Sequence, residues 1–330
     1  MSDNLTWPDG KRAAFTIIDD TDDAELPQIR DIYDILRSSG LRTTKTVWVY
    51  SPRDPKFVRG DSLAGSEEYL AFIRELIEQG FEIGLHNVGS GSFNREETVA
   101  GIELFNRLLG FYPNIHVNHS YNKENIYSGD ERFGWPFRFF VRNMYLGYSG
   151  FEGTNPTSDY FWGDIHKSKI RWSRSLEVDR LNLMGLVPIP YSQSRFNEYA
   201  NYFYPSTFCP NQDIFNKKIT RKSIDRLVAE GGLSIVYSHF GYYHERGKID
   251  KGFVDTCAVL NEFRDDIWFA PLGEILSYLE KKNGIREIGT LQRMRLEAEC
   301  LYTRVKYRYV VRLDDYHYKK SLGFRHRADG

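Results

Sequence analysis

Residues 13–40 read AAFTIIDDTDDAELPQIRDIYDILRSSG, and the passage from apolar run to acids to helix decides the fold class. AAFTIID (13–19) is apolar until its last residue, the pattern of a buried strand that ends at a polar loop. In PQIRDIYDILRSSG (27–40), Ile29, Ile32, Tyr33 and Leu36 share one helical face. Pro27 suits the first turn of that helix and Gly40 its C-terminal cap. The alternation then repeats. TKTVWVY (44–50) is β-branched and aromatic, as strands prefer. SEEYLAFIRELIEQG (66–80) offers Ser66 as N-cap, a stripe of Leu70, Ile73 and Ile77, and Gly80 as its stop. FEIGLHN (81–87) is a third strand, and Asn94 followed by Glu97 marks the start of a helix running to Gly110.

Three strand–helix units in series predict a parallel sheet or barrel with helices outside. The pattern returns late in the chain. A helix and strand are expected across 220–241, a helix across 250–264, a strand at IWFA (267–270), and a last helix opened by Pro271. Residues 118–215 lack clean periodicity and are read as long active-site loops with some strands. The expected organisation is one barrel domain over 1–285 and a basic extension over 286–330.

Lys plus Arg (44) nearly cancel Asp plus Glu (45), so no global field favours nucleic acid or an anionic membrane. From Leu291 to Gly330, however, ten Lys/Arg stand against five Asp/Glu. That stretch is either a solvated extension or a surface that rests near phosphate-bearing substrates or lipid headgroups, a peripheral membrane contact. Cys209, Cys257 and Cys300 are widely spaced and odd in number, which fits buried thiols of a reducing compartment. The start MSDNLTWPDGKRAAF lacks a secretory pattern, and no apolar run reaches the ~20 residues of a spanning helix. A cytoplasmic location is expected.

Parallel α/β folds gather ligands at the carboxyl ends of their strands. Asp19, Asp20, Asp22 and Asp23 stand there after the first strand. Their mutual repulsion is offset by a cation or buried hydrogen bonds, or they are a helix N-terminal acidic loop. His86 ends the third strand, His239 ends LSIVYSH, and His119 lies on a further strand-to-loop transition in HVNHSYN (116–122). Asp oxygens with His nitrogens form a normal first shell for zinc and similar divalent ions.

TIIDDTD, GFEIGLHNVGS, NHSY and YSH occur in an order that resembles the polysaccharide deacetylase (NodB-homology) family of carbohydrate esterases. The resemblance covers roughly residues 10–285. It implies a distorted (β/α) barrel, with Asp19 as general base, Asp20 and His86 as metal ligands, and His239 as catalytic acid. The position of the family's second histidine holds Ser90, so another donor is required. His119 is the first candidate, Asp22 the second and Asn122 a third. Tyr121 is retained from the third motif, and the oxyanion would meet a backbone N–H near it.

Around these motifs, Tyr121, Asn122, Trp162 and Asp164 are candidate substrate contacts. The segment 158–172, with Asp159 and His166, otherwise reads as a surface hairpin turning at Gly163–Asp164. Arg132, Arg138 and Arg142 either face a phosphate or uronate or serve as salt-bridge partners. His244, Glu245 and Arg246 are candidate rim residues, and no chemistry is expected of His317 or His326. The resemblance implies a zinc-dependent hydrolase that frees an amine and a small acid from a carbohydrate, such as a nucleotide-linked or lipid-linked precursor in lipopolysaccharide O-antigen assembly. A carbohydrate-binding relative without the metal is the alternative that Ser90 leaves open.

Overall fold

The computed structural model describes residues 6–53, 58–144, 149–245 and 247–307. Arg246, His317 and His326 lie outside the described residues, as does the basic stretch beyond Tyr307.

Strand β1 (Ala13–Asp19) pairs in parallel with β2 (Thr44–Val47), β2 with β3 (Glu82–Leu85), β3 with β4 (Ile115–His116), and β4 with β5 (Trp172–Val178). The chain passes through a short strand, β6 (Tyr191–Ser192), before β7 (Tyr202–Phe208) pairs with β5. Strand β8 (Leu233–Ser238) pairs with both β7 and β1 and so closes a seven-stranded parallel barrel. β9 (His244–Glu245) and β10 (Lys248–Ile249) form a separate ribbon at the mouth.

The barrel is distorted at one seam. β2 meets only Ile18 and Asp19 of β1, whereas β11 (Ile267–Phe269) occupies the same edge at Ala13–Phe15. A further short strand, β12 (Arg286–Glu287), extends the sheet through β6, which runs antiparallel to β7. The expected barrel architecture is present.

Helices α1 (Leu26–Ser38), α2 (Glu67–Glu78) and α3 (Arg95–Leu109) follow β1, β2 and β3. Their caps follow the sequence. The Ser66 hydroxyl accepts from Tyr69 N–H, and Asn94 and Glu97 form a reciprocal capping box. Gly110 ends α3 in the left-handed region at φ 87°, where a Cβ would be strained. The buried face of α2 is Tyr69, Phe72, Ile73 and Leu76, while Leu70 and Ile77 are only partly covered. Large aromatics at 69 and 72 bring more apolar area to the sheet than Leu70 and Ile77 and turn the helix toward them.

Side chains alternate along β1 with the strand period. Phe15 and Ile17 join the cluster under α1 and α2, and Ala14 and Ile18 join a second cluster with Ile115, Tyr204 and Ile235. All three cysteines are buried and unbridged. A terminal helix, Thr290–Val305, packs along β5 and adds Leu296 and Cys300 to the second cluster. Among the described residues no helix is long and apolar enough to cross a membrane.

Candidate metal centre at the barrel mouth

A parallel barrel delivers the ends of all its strands to one mouth. The loop after β1 carries Asp22, the end of β3 carries His86, the loop after β4 carries His119, and the end of β8 carries His239. The peptide ladder holds these loops: Asp20 N–H donates to the Ser238 carbonyl, His86 N–H to Val47 and Val117 N–H to Leu85. Asp23, Asn87 and Tyr121 take positive φ values of 54°, 48° and 66° within the turns that aim these side chains.

Asp22, His86 and His119 each present one ligand atom, and these atoms lie within 4.8 Å of one another. The Nε2 atoms of His119 and His86 are 3.1 and 3.6 Å from Asp22 Oδ1. His239 Nε2 approaches the other oxygen, Oδ2, at 3.3 Å. Neither ring nitrogen of His86 makes a hydrogen bond, and Asp22 Oδ1 is likewise buried without one. Buried donor and acceptor atoms are seldom left this way, because each costs roughly 1–3 kcal/mol. With the His119 imidazole beside them, the Asp22 carboxylate and the His86 imidazole make a donor set that fits a divalent cation of the zinc type.

Electrostatics bind the cluster further. Burial would raise the Asp22 pKa, but the adjoining His119, His239 and His86 hold it well below the ordinary value. Burial would lower both His119 and His239, yet Asp22 leaves both raised. His86 goes the other way, because burial outweighs Asp20 and Asp22.

A buried polar network fixes the second histidine. Asn122 Nδ2 donates to Gly89 O at 2.8 Å and to Glu124 Oε1 at 2.7 Å. Its Oδ1 therefore faces Gly91 N–H and His119 Nδ1, at 3.1 Å each. An acceptor at that point requires the proton on Nδ1 and leaves the Nε2 lone pair toward Asp22. Asn87 repeats the device. It donates to Glu124 and Asn125 and turns its Oδ1 to His116 Nε2 at 2.9 Å. Burial, only partly offset by these donors, pushes Glu124 up to about 7. Glu124 and His116 carry no signature of their own in the sequence, since a Glu two residues after Asn122 reads as any loop acid.

The two leading acids have partners of their own. Asp19, expected as the base, is fully buried; it accepts from Lys45 Nζ at 2.8 Å, Tyr33 OH at 2.9 Å and Phe240 N–H at 2.8 Å. Asp20, expected as a ligand, is gripped by both terminal nitrogens of Arg174 at 3.0 and 2.6 Å. Asp22 stands with the histidines instead. Ser90 is buried nearby and its carbonyl accepts from Arg53 N–H.

Trp162 is not a sugar platform. It is buried with its indole N–H on Glu124 O, and His116 and His166 lie against its ring. Asp164 is clamped at 2.7 Å by Arg95 through both oxygens, away from the cluster. Gly163–Lys169 is a helix rather than a hairpin turn, and His166 is buried within it, bonded to Tyr199 O and Ser173. Tyr121 is exposed at the loop that carries His119. Arg132 and Arg138 pair with Glu177 and Asp130, while Arg142 is exposed. His244 and Glu245 form β9.

No protein-family model and no curated protein matches the sequence. Solved structures do. Puue allantoinase shares 13% identity over 84% of this chain and 93% of its own, with a TM-score of 0.51. A protein described as a polysaccharide deacetylase from Mycobacterium smegmatis gives 14% identity, 87% and 96% coverage and a TM-score of 0.49. The chain shares the fold of the allantoinase, a closed parallel barrel with helices outside. The same comparison returns a Bordetella bronchiseptica polysaccharide deacetylase described as involved in O-antigen biosynthesis, at 13% identity, 89% and 93% coverage and a TM-score of 0.37. At these identities the likeness speaks for the barrel fold alone.

Proposed function

We propose that this chain is a metal-dependent hydrolase that removes an N-acyl group, acetyl or formyl, from a carbohydrate. The observation that carries this reading is the convergence of Asp22, His86 and His119 opposite His239, with Asp22 Oδ1 and the His86 ring nitrogens buried without a hydrogen bond. The sugar class comes from the order of the four sequence motifs, and a nucleotide-linked or lipid-linked cell-surface glycan precursor suits that class.

When bound, a divalent cation supplies Lewis acidity toward water and an acyl carbonyl. Asp22, His86 and His119 would hold it. The remaining work falls to side chains of this chain. Asp20, locked in place by Arg174, is the carboxylate that takes the proton of the attacking water. Its field reaches His86 and His239, which supports its nearness to the centre. His239 donates its Nδ1 proton to Pro210 O at 2.7 Å, which turns Nε2 to the site as the proton donor for the leaving nitrogen. Tyr121 borders the approach, and Asn122 orients His119 from behind.

Elemental analysis of protein reconstituted with zinc should give about one ion per chain, and Asp22→Asn should remove it. Retained zinc in that variant would reject the ligand set. Release of acetate or formate from N-acyl amino sugars by the wild type, lost in His239→Ala with zinc still bound, would support the chemistry.

A further inference from the structure

The helix Phe137–Met144, in the connection from β4 to β5, is apolar on two faces. Phe137 and Val141, one turn apart, pack into the second core cluster. Trp135, Phe139 and Phe140 are instead 82%, 63% and 51% exposed. Arg138 N–H bonds the Gly134 carbonyl at 2.8 Å, so the helical turn reaches back to Gly134 and sets Trp135 one turn from Phe139. The rings of Phe139 and Phe140 lie 6.2 Å apart. Gly134 N–H in turn donates to Glu297 of the terminal helix at 3.0 Å, which ties the segment down. Four of the other five tryptophans are buried, and Trp268 packs against Trp7 and Tyr278.

Basic residues flank the exposed rings. Arg142 is exposed, and Arg138, one turn before it, pairs with Asp130 while half of its side chain stays in solvent. The turn before the helix carries Arg132, which meets Glu177 near the end of β5, so the segment starts from the mouth end of the barrel. Tyr307 bonds Asp179 just past the same strand end, and the sequence beyond it holds six Lys/Arg against three Asp/Glu.

A contiguous apolar patch on a water-facing helix marks a surface that something else covers. Three rings of about 200 Å² each, at those exposures, offer roughly 400 Å². A stable protein–protein interface takes roughly 800 Å² from each partner. The patch is too small to hold a second copy by itself. An aromatic helix face bordered by arginines has the composition of one that lies in a lipid headgroup layer. We propose that Trp135, Phe139 and Phe140 seat this chain on an anionic bilayer surface, with Arg138 and Arg142 toward the headgroups. The assignment stands without the hydrolase reading, since none of these residues belongs to the metal centre.

Flotation of the full chain with vesicles of phosphatidylcholine and phosphatidylglycerol, against phosphatidylcholine alone, tests it. The wild type should float with the anionic vesicles and be released as salt rises. Phe140→Ser should weaken that partitioning about tenfold. Arg142→Gln should weaken it about fivefold, the worth of one basic residue near an anionic surface. Both variants should keep the far-ultraviolet circular dichroism of the wild type. Lipids brominated near the headgroup should quench the fluorescence of the bound wild type, and Trp135→Phe should remove that quenching. Absence of flotation, or quenching retained in Trp135→Phe, would overturn the proposal. Dimerisation in sedimentation equilibrium that Phe140→Ser abolishes would overturn it too, by giving the face to a second copy.

Discussion

Asn122 sets the protonation of its neighbour through the direction of a single amide. Two donors on one side oblige its oxygen to face His119 Nδ1, so the nitrogen left for a cation is Nε2. Asn122→Ala should therefore weaken zinc binding about 10- to 100-fold with the far-ultraviolet circular dichroism unchanged, as loss of an orienting partner does elsewhere. A competition titration with a chromogenic chelator measures this; an unchanged affinity would mean that the loop alone orients His119. Lys45 offers a different test at the same scale. It is fully buried on Asp19, and Lys45→Met strands that carboxylate at a cost of about 3–5 kcal/mol in urea unfolding. Adding Asp19→Asn should recover much of the loss. If it does not, the pair is not what holds β1 and β2 at this level. These two acids also show where the sequence stopped being legible. Four Asp in five residues share one chemistry, and only partners far along the chain tell them apart: Lys45 takes Asp19 into the fold, and Arg174 holds Asp20 in place.

Among the elements, those with clean periodicity were readable and those without were not. β1 to β3 and α1 to α3 have apolar stripes and caps that local physics dictates. β5 and β7 read WSRSLEV and YFYPSTF, with polar residues on a buried strand, so a reading of 118–215 as loops with some strands does not locate them. Their polar side chains are buried because they meet partners across the barrel, such as Arg174 with Asp20, and no short window contains both. The helix Gly163–Lys169 was hidden for the same reason and presents a test of its own. Its His166 donates from Nδ1 to Tyr199 O and accepts the Ser173 hydroxyl at Nε2. Burial pushes its pKa down to about 4. The folded value lies below the ordinary 6.5 of the unfolded chain, so the unfolded chain binds the proton first as pH falls. The contribution to stability is complete above about pH 6.5 and is lost toward pH 4. Between pH 7.5 and 5 this one group costs roughly 2 kcal/mol. Gln at 166 can donate to Tyr199 O and accept from Ser173 without titrating, so His166→Gln should lose that much less stability over the same interval in urea unfolding. Equal losses in the two proteins would show that His166 is not held neutral.

For the molecule as a whole, the donors of the metal centre come from three loops, after β1, β3 and β4, separated by 64 and 33 positions in the chain between Asp22, His86 and His119. Only the closed barrel brings them within reach of one another, and the unfolded chain has no comparable site. A cation that binds the folded state alone stabilises it by mass action, by about 2.7 kcal/mol at one hundred times its dissociation constant. Protein stripped with a chelator should thus melt at a lower temperature than the same protein with excess zinc, and the shift should grow with the logarithm of zinc concentration. His119→Ala and Asp22→Asn should each flatten that dependence. His239→Ala should keep it, because His239 faces Asp22 Oδ2 from outside the three donors. Calorimetric scans of the four proteins across a zinc series check the set together. A melting temperature in the wild type that does not respond to zinc would remove the centre, and a flattened response in His239→Ala would make that histidine a fourth ligand rather than the proton donor.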